Sequence, residues 1–326
     1  MLKLSVITPC FNGAKFIGRT IESVQAQTMS DWELIFVDDG STDASYATAL
    51  IYAMADPRIR VYRQQNRYLS IARNNGFGLT SPSTEFLLFL DADDLLLPQA
   101  FATMIRYLDD HPNVGAAYNL YRTIDANDRP LMNSADSALG ALRFEPSMLG
   151  CFGCKKLPPA QASTPITALA SYHQALPSCT YFRRDTFEAA GRWDSTFANQ
   201  RVSAEDKDMI MRIALLRPVH MVAEALTMYR RHENNLSASG VIAGLQHLER
   251  LWSAKQFNNR SQRNAALRAL TFNSYLDVTF ALQRAGAMIR QGDIRHGAHE
   301  LSRGIWRSRH LVRNVIRQCS RLIYPF

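Results

Sequence analysis

The chain has 326 residues, 47% of them hydrophobic and 20% charged, enough apolar material for one large α/β domain with an appendage and too much for a disordered chain. Five scattered cysteines (Cys10, Cys151, Cys154, Cys179 and Cys319), with a lone C-x-x-C at 151–154, argue against a structural zinc site or a disulfide framework and read as reduced thiols. The net charge of +8 is uneven: residues 240–326 carry 14 Lys and Arg against 4 Asp and Glu, whereas the rest carries 23 against 25.

The predicted elements alternate through residue 118, with strands near 3–8, 32–38, 60–63, 86–90 and 114–118 and helices near 14–27, 43–54, 71–79 and 98–110. That order predicts a parallel, doubly wound sheet with right-handed crossovers. The first strand breaks at Pro9. The second ends in Asp38-Asp39-Gly40-Ser41-Thr42-Asp43, where Gly40 permits a sharp turn and Ser41 or Thr42 can cap the next helix. The fourth, Phe86-Leu87-Leu88-Phe89-Leu90, is apolar throughout, as a buried strand should be, and runs into Asp91-Ala92-Asp93. Two carboxylates at the carboxyl end of such a strand point into the crevice where open α/β sheets bind ligands. Hard oxygen donors there suit a divalent cation that also holds a diphosphate. An acidic turn that merely caps the next helix is the competing explanation.

Residues 125–175 hold Pro130, Pro146, Pro158, Pro159 and Pro165 and lack regular periodicity, which predicts a long functional loop. A strand is expected at 179–182, a helix at 206–216 and a return to the sheet at 218–222. A polar linker at 234–240 leads to helices near 244–257, 260–284 and 294–323. The domains expected are 1–237, catalytic, and 238–326, a basic helical region. No secretory signal is expected, since a strand begins almost at the first residue, and no run reaches the about 20 apolar residues of a spanning helix.

Several segments together resemble the family 2 glycosyltransferases of GT-A fold: 6–12 (Val-Ile-Thr-Pro-Cys-Phe-Asn), 37–43, Ala72-Arg73-Asn74-Asn75-Gly76, Asp91-Ala92-Asp93-Asp94, Phe182-Arg183-Arg184-Asp185, Gly191-Arg192-Trp193-Asp194, Glu205-Asp206 and Tyr229-Arg230-Arg231-His232. The resemblance covers residues 2–237. It implies a Rossmann-like, mostly parallel sheet flanked by helices, with the 125–175 loop shaping an acceptor site. It further implies that Asp39 accepts a hydrogen bond from a uracil ring nitrogen, that Pro9 and Phe11 lie against the base, and that Arg73 reaches the base or the diphosphate. Phe11 as a core residue and Arg73 as a surface cation are the structural alternatives. Asp93, with Asp91 toward ribose or metal and His232 as a further ligand, would hold Mn2+ or Mg2+. His232 as a surface histidine is the alternative. Asp206 would be the general base and Glu205 its understudy, where simple capping of a helix N-terminus is the other explanation.

The implied reaction is inverting, metal-dependent transfer from a UDP-sugar to a glycan or lipid-linked acceptor in surface polysaccharide or glycoconjugate assembly. Transfer to polyprenyl phosphate and a catalytically silent nucleotide-sugar-binding scaffold are the alternatives. A paired-carboxylate hydrolase would not need a nucleotide pocket. No Gly-x-Ser-x-Gly elbow, Walker A or dinucleotide fingerprint occurs. In residues 303–326 there are six arginines and no acid; Arg309, Arg313, Arg317 and Arg321 recur every four residues beside an apolar stripe of Ile305, Val312, Ile316, Cys319 and Ile323. That pattern fits a helix lying on an anionic membrane, or one packed on its own domain with a solvated basic face. A nucleic-acid partner is not expected. The location expected is cytoplasmic, at the inner face of the membrane if the tail binds it.

Overall fold

The structure is a computed structural model that describes residues 2–131, 161–162, 176–233, 235, 247–248 and 251. The chain divides into two compact units, 1–250 and 251–326. The second unit, apart from its first residue, lies outside the described residues. So do most of the long loop, the linker and the three expected tail helices. His247, Leu248 and Leu251 are helical.

Within the first unit, β1 (Leu4–Cys10), β2 (Trp32–Asp38), β3 (Ile59–Arg63) and β4 (Phe86–Phe89) are joined by α1 (Ile17–Gln25), α2 (Ser45–Ala55) and α3 (Leu69–Gly78). There follow β5 (Leu95–Leu96), α4 (Ala100–Asp110), β6 (Ala116–Ile124), β7 (Gln161–Ala162), a 3-10 turn at Pro177–Cys179, β8 (Thr180–Arg183), α5 (Arg184–Ala189), α6 (Ser195–Gln200), α7 (Glu205–Leu216) and β9 (Val219–Arg230). The sheet order is β3-β2-β1-β4-β8-β6-β9-β5, with β7 on β9. The α/β class expected from the sequence holds.

The half β3-β2-β1-β4 is parallel, as expected. The other half is mixed, in keeping with a sheet that is mostly rather than wholly parallel. β8 runs antiparallel to both β4 and β6, β5 and β7 run antiparallel to β9, and only β6 with β9 is parallel. The strand at 116–124 is longer than expected because polar Asn119, Arg122 and Thr123 interrupt its apolar pattern. β9 is likewise longer than 218–222, since its later residues pair with a bulged β6.

Every residue of β1 and β2 is buried, which suits strands covered on both faces. α1 lays Ile17, Thr20, Ile21 and Val24 on the sheet at helical spacing, and α4 does the same with Phe101, Met104, Ile105 and Leu108. Trp32, Phe86, Phe101 and Tyr181 join these in one core. α3 packs unusually close: a Cβ at Gly76 would stand 2.5 Å from Ile7 Cγ2 and 3.0 Å from Val37 Cγ2. Because β1, β2 and β4 are parallel neighbours, their carboxyl ends emerge along one edge, and the segments after Cys10, Asp38 and Phe89 meet there. Among the described residues no helix is long and apolar enough to cross a membrane.

Candidate active site

Two loops form one side of the site. Asn12 adopts a left-handed backbone (φ 54°), and its Oδ1 accepts the Thr42 N–H at 2.8 Å, while Ser41 Oγ accepts the Asn12 N–H at 2.9 Å. Ser41 and Thr42 therefore staple the loops rather than cap α2, as the sequence suggested. The cap-like contact comes from Asp43 Oδ1, which accepts the Ser45 N–H at 2.9 Å. Gly40 has φ 80°, and a Cβ there would meet Asn66 N at 2.9 Å, so the turn needs glycine. Asp39 is buried, and its Oδ1 accepts from Gln64 Nε2 at 2.7 Å and from the Arg67 N–H at 2.9 Å. Pro9 is buried in β1. Phe11 is 53% exposed, which removes the core alternative for it.

The centre of the site is Arg73. It is fully buried, not a surface cation. Its Nη2 donates to Asp91 Oδ1 at 2.8 Å and its Nη1 to Glu205 Oε1 at 2.9 Å. The guanidinium lies 4.7 Å over the Trp193 ring. Charge-assisted bonds of this kind are among the strongest a buried cation can make. Trp193 packs edge-on against Phe89, and Asn74, next to Arg73, brackets its backbone: Nδ2 donates to Trp193 O at 2.7 Å and Oδ1 accepts the Trp193 N–H at 3.1 Å. Sequence reasoning left Asn74 and Trp193 without a role, although both lie inside the motifs it singled out.

Glu205 and Asp206 open α7, whose preceding residue, Ala204, has φ 142°, a region an L-residue rarely occupies and one that stores strain. The Ala204 N–H donates to Glu205 Oε2 at 3.0 Å. Glu205 is thus held at both oxygens. Asp206 stands outside that bridge and is partly exposed. Burial, and next the negative charge of Glu205, push its carboxyl up to about 6. A carboxylate poised there can take a proton near neutral pH.

Asp93 Oδ2 lies 2.9 Å from His232 Nε2 and 3.3 Å from Asn235 Nδ2. His232 is largely covered, its ring tilted against that of Phe16 with centroids 4.7 Å apart, so it is not a surface histidine. Arg230, which the sequence places in a motif without a role of its own, is buried and organises the acidic turn: its N–H donates to Asp94 Oδ1 at 3.0 Å and its Nε to the Asp93 carbonyl at 2.7 Å. Asp94 is fully buried; that burial, and then the charges of Asp93 and Asp91, hold it well above the usual carboxylate range. Burial raises Asp91 as well, against the pull of Arg73. The acidic turn caps no helix through these side chains, since α4 begins at Ala100 with no side-chain cap. Among the described residues no three His, Cys, Asp or Glu are already grouped as a metal cage. The donor chemistry of Asp91, Asp93 and His232 nevertheless suits a hard divalent cation, and the two carboxylate side chains keep 30% and 26% of their surface open.

The site thus joins Arg73, Asp91, Glu205 and Asp206 in one cluster and Asp93 of the same acidic turn with His232, just past β9, in a second, while Pro9, Phe11 and Asp39 stand at the β1–β2 end. The remaining motifs serve the fold. Arg183 reaches the C-terminal carbonyl of Leu108 at 2.8 Å, and Arg184 ties the 80–84 turn through Thr84 O at 2.7 Å. Cys10 and Cys179 are buried free thiols, and burial pushes both up to about 12, so neither is a nucleophile.

An open α/β sheet with acidic strand ends and a carboxylate pair on a helix start defines a ligand-binding α/β enzyme fold. The family description "Glycosyl transferase family 2" matches residues 5–188, more than half of the chain, and the chain belongs to that family. Among relatives, it is 38% identical over 106 residues to the GalNAc(5)-diNAcBac-PP-undecaprenol beta-1,3-glucosyltransferase of Campylobacter jejuni, covering 32% of this chain and 34% of that protein. Four other relatives, 35–37% identical, are matched over only 13–40% of their own lengths. Among solved structures, TarS of S. aureus in complex with UDP-GlcNAc superposes with a TM-score of 0.59 at 15% identity, covering 90% of this chain and 79% of that one. The mannosyltransferase PcManGT of Pyrobaculum calidifontis, in complex with GDP-Man and Mn2+, gives 0.59 at 16% identity, covering 96% and 87%. At such identities the likeness concerns the fold, which is that of GT-A glycosyltransferases.

Proposed function

We propose that the chain is an inverting glycosyltransferase that moves a sugar from a UDP-sugar to a glycan or lipid-linked acceptor in glycoconjugate assembly, with Asp206 as the general base. The observation that carries this is the contrast within one dipeptide. Glu205 is locked by Arg73, whereas Asp206 is partly exposed and poised at about 6. Two adjacent acids with such different surroundings have different tasks. The UDP-GlcNAc bound to TarS and the GDP-Man bound to PcManGT support a nucleotide-sugar donor, and the first of them a uridine one.

In this reading the β1–β2 loops hold the nucleotide, with Asp39 toward the uracil and Pro9 and Phe11 against the ring. Asp91, Asp93 and His232 would hold Mn2+ or Mg2+, which when bound supplies Lewis-acid neutralisation of the departing diphosphate. Asp206 removes the proton from the acceptor hydroxyl as that oxygen attacks the anomeric carbon and the diphosphate leaves from the opposite face. A single displacement inverts the centre. Arg73 orients Asp91 on the donor side and Glu205 on the base side. The basic segment 303–326, outside the described residues, would bring the enzyme to an anionic membrane face, and the domain limits 1–237 and 238–326 belong to the same proposal.

The test is UDP release from UDP-glucose, UDP-galactose, UDP-GlcNAc and UDP-GalNAc, with and without Mn2+, for the parent chain and Asp206→Asn. Metal-stimulated release from one donor, reduced about a hundredfold or more by Asp206→Asn while UDP affinity stays near that of the parent, is expected. If Glu205→Gln is the crippling change and Asp206→Asn is mild, the two roles are exchanged.

A further inference from the structure

Arg73 poses a physical problem. A guanidinium carries five N–H groups in a rigid fork, yet its Nε is buried without an acceptor, so two carboxylates alone fix it in plane. Those carboxylates sit on separate elements: Asp91 follows β4 and Glu205 opens α7. Nothing in α3 itself prevents the side chain from tilting toward one and releasing the other. What closes that freedom is the face of Trp193, 4.7 Å below the guanidinium. The indole is in turn walled by Phe89, Phe182 and Phe187, with ring centroids 5.0–6.1 Å away. Its backbone is gripped at both N–H and C=O by one side chain, Asn74, the residue after Arg73. The platform and the cation it supports are therefore tied through adjacent residues of α3, although Trp193 lies 119 positions away.

We propose that Asn74 and Trp193 are positioning residues for the base: together they form a strut that holds the Arg73 guanidinium across Asp91 and Glu205 and thereby sets the electrostatic surroundings of Asp206. This inference rests on the reading of Asp206 as the base and adds the residues that tune it. The charged groups facing Asp206 are Glu205 and Lys207 on its own helix and Arg73 on α3. Glu205 raises its proton affinity, while Lys207 and Arg73 lower it. Loosening the strut lets the guanidinium drift from Glu205, which weakens the cationic counterweight and leaves the anionic neighbour. The proton affinity of Asp206 should rise.

The experiment follows the Asp206 carboxyl by 13C NMR titration of the full chain, assigned through Asp206→Asn, in the parent, Asn74→Ala, Trp193→Phe and Trp193→Leu. This readout needs no donor, so it is separable from the proposed activity. Asn74→Ala and Trp193→Leu should move the titration upward, and the acid limb of kcat/KM should follow with a fall in kcat of about two- to thirtyfold, the range a partly desolvated cation–π contact spans. Trp193→Phe, which keeps an aromatic face, should recover most of what Trp193→Leu loses. If Trp193→Leu fails to fold, Asn74→Ala carries the test alone, since it leaves the core rings in place. A folded Asn74→Ala whose Asp206 titrates as in the parent overturns the strut. An active Asp206→Asn overturns the base assignment and this inference with it. An inactive Asp206→Asn beside an unmoved Asn74→Ala overturns only the strut.

Discussion

Arg73 and Glu205 lie 132 positions apart in the chain and meet in a buried ion pair of 2.9 Å, while the other arm of the same guanidinium holds Asp91 at 2.8 Å. One cation thus neutralises an acid at the end of β4 and an acid at the start of α7. Removing either partner of such an arrangement strands a charge away from water, and that is costlier than never having built it.

The first prediction concerns that cation. Arg73→Met should lower unfolding stability by about 3–5 kcal/mol, because Asp91 and Glu205 both lose their counter-ion. Urea midpoints measure this. Adding Glu205→Gln to Arg73→Met should restore part of the loss, since it removes one stranded charge. A loss below about 1 kcal/mol would mean that solvent reaches the pair.

The second concerns pH and stability. The Asp206 carboxyl holds its proton more tightly folded (about 6) than its ordinary value of 3.8. The folded state therefore binds more protons between those values, and the stability this group contributes is present at low pH and lost as pH rises through about 6. Asp206→Asn removes the charge that costs stability, so its Tm should exceed that of the parent at pH 8 and match it at pH 4. An unchanged difference across that window would sink the idea.

The third concerns the acidic turn. Asp93→Asn keeps the shape of the side chain but weakens it as a cation ligand. Calorimetric titration with UDP should show the Mn2+-dependent gain in affinity reduced at least about tenfold, while metal-free UDP binding, which the proposal assigns to Asp39 and its loop, changes little. Full metal dependence in the variant would place the cation elsewhere.

The fourth concerns the tail. The full chain should sediment with vesicles of phosphatidylcholine and phosphatidylserine and come off as salt rises, because screening weakens surface attraction. Replacing Arg309, Arg313, Arg317 and Arg321 by Gln should remove most of that binding, at about 1 kcal/mol per cation. Equal sedimentation of both chains would reject the membrane reading.

Much of the parallel half was legible because β4 reads as an unbroken apolar run, β1 and β2 are apolar apart from Ser5, Thr8 and Glu33, and all three end in polar turns. The mixed half was harder to read. The reversal at β8 depends on pairing with β4 and β6, which lie far away in sequence, and four residues of Thr-Tyr-Phe-Arg say nothing of direction. The same limit applied to the site. Acids at strand ends announced themselves, whereas the bracket of Asn74 on Trp193 and the hold of Arg230 on the acidic turn are long-range contacts with no local signature. Ser41 and Thr42 were misread for a similar reason. A hydroxyl before a helix is a good cap until another loop comes close enough to use it, and Asn12 does.

The chain leaves the sheet at the end of β6, touches it again as β7 against β9, and returns beside β6 as β8. Since Thr180 pairs with Tyr118 while β6 runs on to Ile124, the segment starts roughly 20 Å along the strand from where it finishes, and beyond the length needed to span that gap each doubling costs only about 0.6 kcal/mol of closure entropy. None of Pro9, Phe11, Asp39, Arg73, Asp91, Asp93, Glu205 or Asp206 lies between Ile124 and Thr180. Changes of length on either side of β7 would accordingly leave those side chains in place, so a new partner specificity could be acquired there without rebuilding the proposed site.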